Sequence, residues 1–495
     1  MASPARSVCA IAALAALQAG CAPAPTAQDA ASADASTSDA TTSRVDGEVD
    51  ATAHDASDDV FTADTGAAPS CDDFPAQGVD GPLSILPGRR GFGLDTAAGS
   101  GRGGGASQLL RVTTLADSGP GSLRACVAAA GPRTCVFEVS GTITATSDLE
   151  IREPYLTLAG QTAPSPGITL RNATLLVLNA HDILVQHLRV RVGDDPAGAD
   201  PSNRDALGIG AFGGGETHHV VLDHVSLSWA TDEVASVWTD DGSVHDVSFV
   251  DSIVAEGLHC SLHPEGCHSA GLIIGRHTAR TLVMGTLFAH NDWRNPLVRD
   301  AFDDVVVVND LVFADGSEGV VIGDNLGHAG PSFADVRASE LVRLPVSLGS
   351  ASSTFTTGSA FFVDAHCESA SCIEERGAPS PIASAPTVTV PGLVPQPVDQ
   401  VAARVLAIAG ARPADRDAVD ARVVDDVARG VARLVDRTSD VGGWPTLAES
   451  HAAYVDPPDA DRIPATDPYT GRSNPGYTAR ELYLHELARR VTCGR

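Results

Sequence analysis

The sequence predicts an all-β chain wound as a parallel solenoid, and three observations carry that expectation. From Cys135 onward, short apolar runs alternate with glycine, asparagine and aspartate; they include Ile183–Val190, His219–Leu227, Val244–Val250, Thr281–Phe288 and Asp304–Phe313. Four of the runs resemble one another: His181-Asp182-Ile183-Leu184-Val185, His219-Val220-Val221-Leu222-Asp223, Val244-His245-Asp246-Val247-Ser248-Phe249 and Asp303-Asp304-Val305-Val306-Val307-Val308-Asn309. They recur at intervals of roughly 20 to 40 residues, about one coil each, without matching helices between them. Finally, aromatic residues make up only 4% of a 495-residue chain that holds 48 glycines, a composition suited to short, tightly turned strands. One coil cannot bury its inward face alone, so neighbours must stack and share a core. A β-sandwich with long loops is the rival architecture.

The N-terminus reads as an address. Met1 to Gly20 has Arg6 near its start, an apolar core from Cys9 to Leu17 and small residues before Cys21. That is the shape of a secretory leader, too short for a membrane span. Leu17-Gln18-Ala19-Gly20-Cys21 resembles a bacterial lipoprotein cleavage site, although a glutamine stands where an aliphatic residue is usual. Residues 1–21 are therefore expected to be a signal peptide, with Cys21 lipidated at an outer membrane; plain secretion is the alternative. Residues 22–70 carry ten acidic residues and one arginine among alanine, serine and threonine. Such a segment cannot bury a core and reads as a self-repelling tether.

Residues 71–372 are expected to form the solenoid. Its glycine-rich run, Gly99 to Gly105, lacks the lysine and the strand–loop–helix frame of a phosphate cradle, so it is a turn. Leu109–Leu115 follows as a strand, and 122–130 as a short capping helix that ends near Gly131-Pro132. After Phe362 the pattern breaks. Residues 373–495 read as a linker plus a helical extension, with apolar spacing over Val398–Ile408, Asp417–Leu434 and Tyr477–Val491, assigned to cap the exposed last coil.

Eight cysteines remain after Cys9 and Cys21 are set aside, an even count that suits disulfides in an exported chain. Pairs 126/135, 260/267 and 367/372 are close in sequence, which leaves Cys71 to join Cys493. A zinc site over Cys260 to His268 is the alternative there, without the second matching pair such sites usually have. The formal net charge of -30 excludes nucleic acid as a partner. Every one of the 33 basic residues is an arginine, so any mechanism that needs a lysine base or Schiff base is excluded.

The chemistry concentrates at His290-Asn291-Asp292-Trp293-Arg294-Asn295-Pro296-Leu297-Val298-Arg299-Asp300. Two planar guanidinium forks beside a strand end suit the carboxylates of an anionic substrate. The plainer expectation is a solvated turn whose arginines pair with Asp292 and Asp300. Other phrases decide between them: Asp117-Ser118-Gly119-Pro120-Gly121-Ser122-Leu123-Arg124, Val139-Ser140-Gly141-Thr142-Ile143, Leu158-Ala159-Gly160-Gln161-Thr162-Ala163-Pro164 and Asp223-His224-Val225-Ser226-Leu227-Ser228-Trp229. With Arg294-Asn295-Pro296-Leu297-Val298-Arg299, their order resembles the pectate lyases of the parallel β-helix class over about residues 85 to 330. The stretch from Gly410-Ala411-Arg412-Pro413 to Arg422-Val423-Val424-Asp425 is similar to the C-terminal extension of bacterial members.

The resemblance implies a right-handed parallel β-helix that cleaves polygalacturonate by calcium-assisted β-elimination, as a monomer. It puts Arg294 at the catalytic base position, Arg299 at the substrate-carboxylate position and Pro296 at the turn between them. It draws calcium ligands from Asp205, Asp232 and Asn203, to which calcium's preference for several oxygen ligands adds Glu233, and makes Asp223 and His224 a structural pair. There are departures. Ser236 and Asn203 stand where the family has charged calcium ligands, and Ala270 stands where it commonly has a substrate-binding lysine, a role His268 would take over in part. Two other functions stay open. A pectin-splitting hydrolase would draw on acids such as Asp194, Asp195, Asp205 and Asp232, and a surface protein would bind the polysaccharide without cutting it.

Overall fold

The computed structural model describes residues 91–102, 105–300, 302–313, 316–323, 331–349, 355–368, 371–376 and 381–494. The leader, the tether and Cys71 lie outside the described residues. The chain winds as a parallel β-helix in which each coil lays one strand on each of three faces. One face is a nine-stranded sheet from Leu149–Ile151 to Ile373–Glu375. The other two share a larger sheet, one running from Gln108–Val112 to Ala360–Cys367 and the other from Val139–Thr144 to Leu311–Phe313. Inside lies one continuous hydrophobic core with residues such as Val185, Leu222, Phe249, Val283 and Val307 from successive coils.

The bends explain why the runs look alike. After the strands from His181–Gln186 to Phe302–Val308, on the face that runs from Gln108–Val112 to Ala360–Cys367, the chain turns on a single left-handed residue: His187 (φ 55°), His224 (52°), Asp251 (47°), Gly285 (67°) and Asn309 (54°). Asparagine, aspartate and histidine tolerate this conformation better than other side chains with a Cβ. Each bend also donates its N–H to the next coil, as His187 to Asp223 O (3.1 Å), His224 to Val250 O (3.0 Å) and Asp251 to Met284 O (2.9 Å). No backbone donor is wasted at these corners. A second left-handed series inside the strands, Asp182, His219, Asp246, Arg280 and Asp304, sits beside the histidines of a stacked ladder. The rings of His181, His218 and His245 lie nearly parallel at centroid spacings of 4.8 and 5.1 Å. Asp223 and His224 are fully buried and 2.6 Å apart, and Gln161, Gln186 and Asp223 form a polar ladder across coils. These are structural roles, as expected.

Helix α1, Leu123–Val127, is capped by Ser122 Oγ, which accepts from Ala125 N–H at 3.2 Å, and it buries Leu123, Cys126 and Val127 on the core. The disulfides Cys126–Cys135, Cys260–Cys267 and Cys367–Cys372 are all formed, and Cys493 is disulfide-bonded. In the extension, α2 (Val401–Ile408), α3 (Ala418–Ala428) and α4 (Ala479–Cys493) lie close to their expected places. Helix α3 stops short of residue 434 because Gly430 turns left-handed.

Their task differs from the one assigned. Instead of capping the last coil, the extension runs back along the solenoid. Val388 and Val390 pack with Val306 and Leu282, and α2 packs on Leu311, Leu287 and Ile253. Helix α4 reaches Val136 and Ala159 near the start, where Ser450–His451 pairs antiparallel with Val139 and Ser140. Fully buried arginines fix this path. Arg404 bridges Asp251 (2.6 and 3.0 Å), while Arg191, joined by Arg189, grips Asp417 and Asp420 at the start of α3. Apolar spacing identifies the helices but does not say which strands they meet.

Candidate active site

Four neighbouring strands of the nine-stranded face build the site: Leu207–Gly210, Glu233–Trp238, Ala270–Gly275 and Leu297–Arg299. Leu207 pairs with Ala235, Ala235 with Leu272 and Ile273 with Leu297. At the strand starts Glu233 stands opposite Ala270, and Ala270 bridges Trp293. Residues far apart in sequence thus form one row across four coils, with Asp205 at one end and the Trp293-Arg294 turn at the other.

Asp205, Asp232 and Glu233 bring carboxylate oxygens within 4.8 Å of one another. Asp205 Oδ2 accepts from Ser236 Oγ at 2.7 Å, while its Oδ1 is buried without a hydrogen-bond partner. Burial, then the charge of Asp232, pushes the Asp205 carboxyl well above the usual carboxylate range. A buried, partnerless carboxylate oxygen facing two further carboxylates is costly alone, and suits a hard divalent cation that takes oxygen ligands. The donor set therefore fits calcium. Ser236 spends its hydroxyl on Asp205, and Asn203 lies in the turn Pro201–Asn203 with its amide donating to Ser202 Oγ at 3.0 Å.

Arg294 has φ 58° and ion-pairs with Glu233, and its guanidinium lies 4.1 Å over the Trp293 ring. Its Nε is buried and unpartnered. Burial holds its pKa down to about 10, and nearby Arg299 works in the same direction against Asp232, Asp205 and Glu318. The turn around it is braced by amides. Asn291 Nδ2 donates to Val254 O (3.0 Å) and Asn295 Oδ1 (3.1 Å), and Asn295 Nδ2 donates to Glu318 O (3.0 Å). The Asn295–Pro296 peptide is cis. The solvated-turn expectation holds for one arginine only: Arg299 Nε donates to Asp300 Oδ2 at 2.6 Å, whereas Asp292 accepts from Ser317 N–H (2.8 Å).

His268 lies at the same site. Its Nε2 is 3.0 Å from Asp232 Oδ1 without forming a hydrogen bond, and its ring meets Trp293 edge-on at 5.3 Å. Stacked on it at 4.1 Å is His263, which the sequence reading did not single out. His263 belongs to a loop closed by Cys260–Cys267 and His268 follows it directly, so those two thiols are not free to ligate zinc. The loop is tied to the extension through His259 N–H to Val435 O (2.7 Å) and Cys260 N–H to Asp436 Oδ1 (2.9 Å). Trp293 was also not assigned a role; its place in the arginine phrase was the available signal. Of the acids a hydrolase would draw on, Asp205 and Asp232 meet here but Asp194 and Asp195 do not. Asp194 accepts from the Thr438 hydroxyl (2.7 Å) and Asp195 from Ala197 N–H (2.9 Å).

No protein-family model matches the chain. Among curated proteins, "Probable pectate lyase C" of Aspergillus fumigatus is 33% identical over 281 residues, 57% of this chain and 58% of that protein. "Probable pectate lyase C" of Emericella nidulans is 35% identical over 248 residues, 50% of this chain and 52% of that one. The chain thus spans a little over half the length of these relatives. Among solved structures, a pectate lyase from Paenibacillus sp. 0602 overlays with a TM-score of 0.43 at 11% identity, covering 70% of this chain and 98% of that one. Pectate lyase II from Xanthomonas campestris overlays with a TM-score of 0.36 at 14% identity, covering 66% and 99%.

Proposed function

We propose that this protein is an exported lyase that cleaves pectate, or a related uronate polymer, by calcium-assisted β-elimination. The observation that carries the proposal is the row just described: three converging carboxylates, one oxygen buried and partnerless, beside an arginine whose pKa is held down to about 10. Asp205, Asp232 and Glu233 would hold calcium, and Asn203, two residues before Asp205 in the chain, is the further ligand proposed. When bound, calcium withdraws charge from the substrate carboxylate and screens the acids that otherwise favour protonated Arg294.

The chain's own groups supply the rest. Arg299, partly exposed, grips a substrate carboxylate with the guanidinium face that Asp300 leaves open. Arg294, once released by Glu233, takes the C5 proton beside that carboxylate; the C5–H electrons form the double bond as the glycosidic C4–O bond breaks, and the departing oxygen takes a proton from water. Burial over Trp293 lowers the cost of the neutral guanidine. His268 stands next to the row where Ala270 offers no cation, and supplies a donor to the uronate.

The test is ultraviolet absorbance of the unsaturated product on polygalacturonate, with calcium, with chelator, and with Arg294→Ala. A calcium-dependent rise that the substitution removes supports the proposal; no rise on any uronide refutes it. Ala270 favours a second reading, a protein that binds the polymer without cutting it, and binding without product would establish that. The disulfides suit an oxidising compartment. The leader with Cys21 supports export, with lipid anchoring as its finer form, and a monomer is expected.

A further inference from the structure

We infer that Asp232, His263 and His268 form a second cation site that takes a divalent transition metal, zinc being the type case. The three side chains offer one carboxylate oxygen and two imidazole nitrogens within 4.8 Å of one another, and all three are buried. His268 Nε2 is enclosed, makes no hydrogen bond and points at Asp232 Oδ1 from 3.0 Å; His263 Nε2 approaches the same oxygen at 3.7 Å. Two imidazoles and a carboxylate suit zinc and its neighbours, while calcium prefers an all-oxygen shell such as the adjoining carboxylates. The two sites therefore differ in chemistry although they share Asp232.

The frame is preorganised. The Cys260–Cys267 disulfide closes the loop that carries His263, and His268 follows it directly. Two hydrogen bonds, His259 N–H to Val435 O and Cys260 N–H to the Asp436 carboxylate, fix the loop to the extension. One contact opposes metal capture: Glu265 N–H donates to His263 Nδ1 at 3.3 Å, which places the neutral ring's proton on Nε2. Ligation through Nε2 moves that proton to Nδ1, at the expense of this single long bond. Because Asp232 cannot serve two cations equally, transition metal at this site weakens calcium binding and slows cleavage; this consequence rests on the lyase proposal, whereas metal binding itself does not.

The test uses the full, oxidised protein after chelator treatment. Titration with Co2+ followed by visible absorption, and with Zn2+ by calorimetry, is expected to give one equivalent bound. His263→Ala should weaken that binding at least tenfold while leaving calcium-dependent cleavage in place and reducing its inhibition by Zn2+. In the unsubstituted protein, one equivalent of Zn2+ should shift the ring signals of His263 and His268 and leave those of His181, His218 and His245 unmoved. Absence of binding, or binding that shifts other histidines or is indifferent to His263→Ala, overturns the site. If Zn2+ binds as described and no uronide is cleaved, the cation site stands and only the lyase reading falls.

Discussion

Asp205→Asn should act with opposite signs in the absence and presence of calcium. Asparagine keeps an oxygen for the Ser236 hydroxyl, now 2.7 Å from Asp205 Oδ2, and removes one charge from a cluster whose oxygens lie within 4.8 Å. Two like charges at 4.8 Å repel by about 3.5 kcal/mol at an effective dielectric constant of ~20. Screening by solvent and by Arg294 reduces this, so a gain of about 1 to 3 kcal/mol is expected in chelator, a rise in Tm of roughly 1 to 4 °C for a folded region of this size. The Asp205 carboxyl is raised, so its stability contribution is intact below the unfolded carboxylate value and is lost as pH rises through the folded one. The advantage of the variant should accordingly shrink in acid. With calcium the order reverses, because losing one of three carboxylates should weaken binding at least tenfold, or about 1.4 kcal/mol. Thermal unfolding in chelator and across a calcium titration reads both effects. A lower Tm for the variant in chelator, or an undiminished calcium-induced rise, would refute the assignment of these carboxylates to a cation.

Arg294→Ala should cost more than about 2.7 kcal/mol of transition-state stabilisation, a hundredfold in kcat, with a smaller change in KM. With calcium bound to the unsubstituted protein, kcat should climb with pH up to the Arg294 value, which is about 10 without the metal and lower once calcium screens the neighbouring acids, because the base works as the neutral guanidine; a profile falling above neutrality contradicts this role. Asp417→Ala leaves Arg189 and Arg191 buried with Asp420 alone and should destabilise the fold by about 3 to 5 kcal/mol in denaturant melts. In an NMR titration, His245, bonded to Asp246 and Glu216, should titrate above an ordinary imidazole, and His218 below it, because burial and the neighbouring imidazoles disfavour its charge. The stability that His245 adds is full below the unfolded histidine value and is lost as pH rises through its folded one.

Much of the solenoid was legible because its corners demand particular residues. His187, His224, Asp251 and Asn309 recur at left-handed bends, and the apolar runs between them have one coil's spacing. The carboxylates and the two arginines were legible as phrases, and three neighbouring disulfides as short cysteine intervals. The path of the extension was not, since the arginine partner of Asp417 and Asp420, Arg191, lies over 220 residues away and no local pattern announces it. His263 was missed for a similar reason. It joins Asp232 only through the stacking of separate coils, and Arg294 meets Glu233 rather than its neighbour Asp292 by the same device.

The returning extension changes what kind of object the solenoid is. An unbraced stack of coils contacting only their neighbours can peel from either end, and its stability is a sum of nearest-neighbour terms. Here a single segment touches late coils through Val388 and α2, middle coils through Arg404 and Arg422, and early coils through α4. It acts as a splint, so a coil can leave the stack only if the brace over it is also broken. Heat or pulling force should therefore meet one sharp, all-or-none transition, whereas a single proteolytic nick in the splint would let the same coils fray one after another.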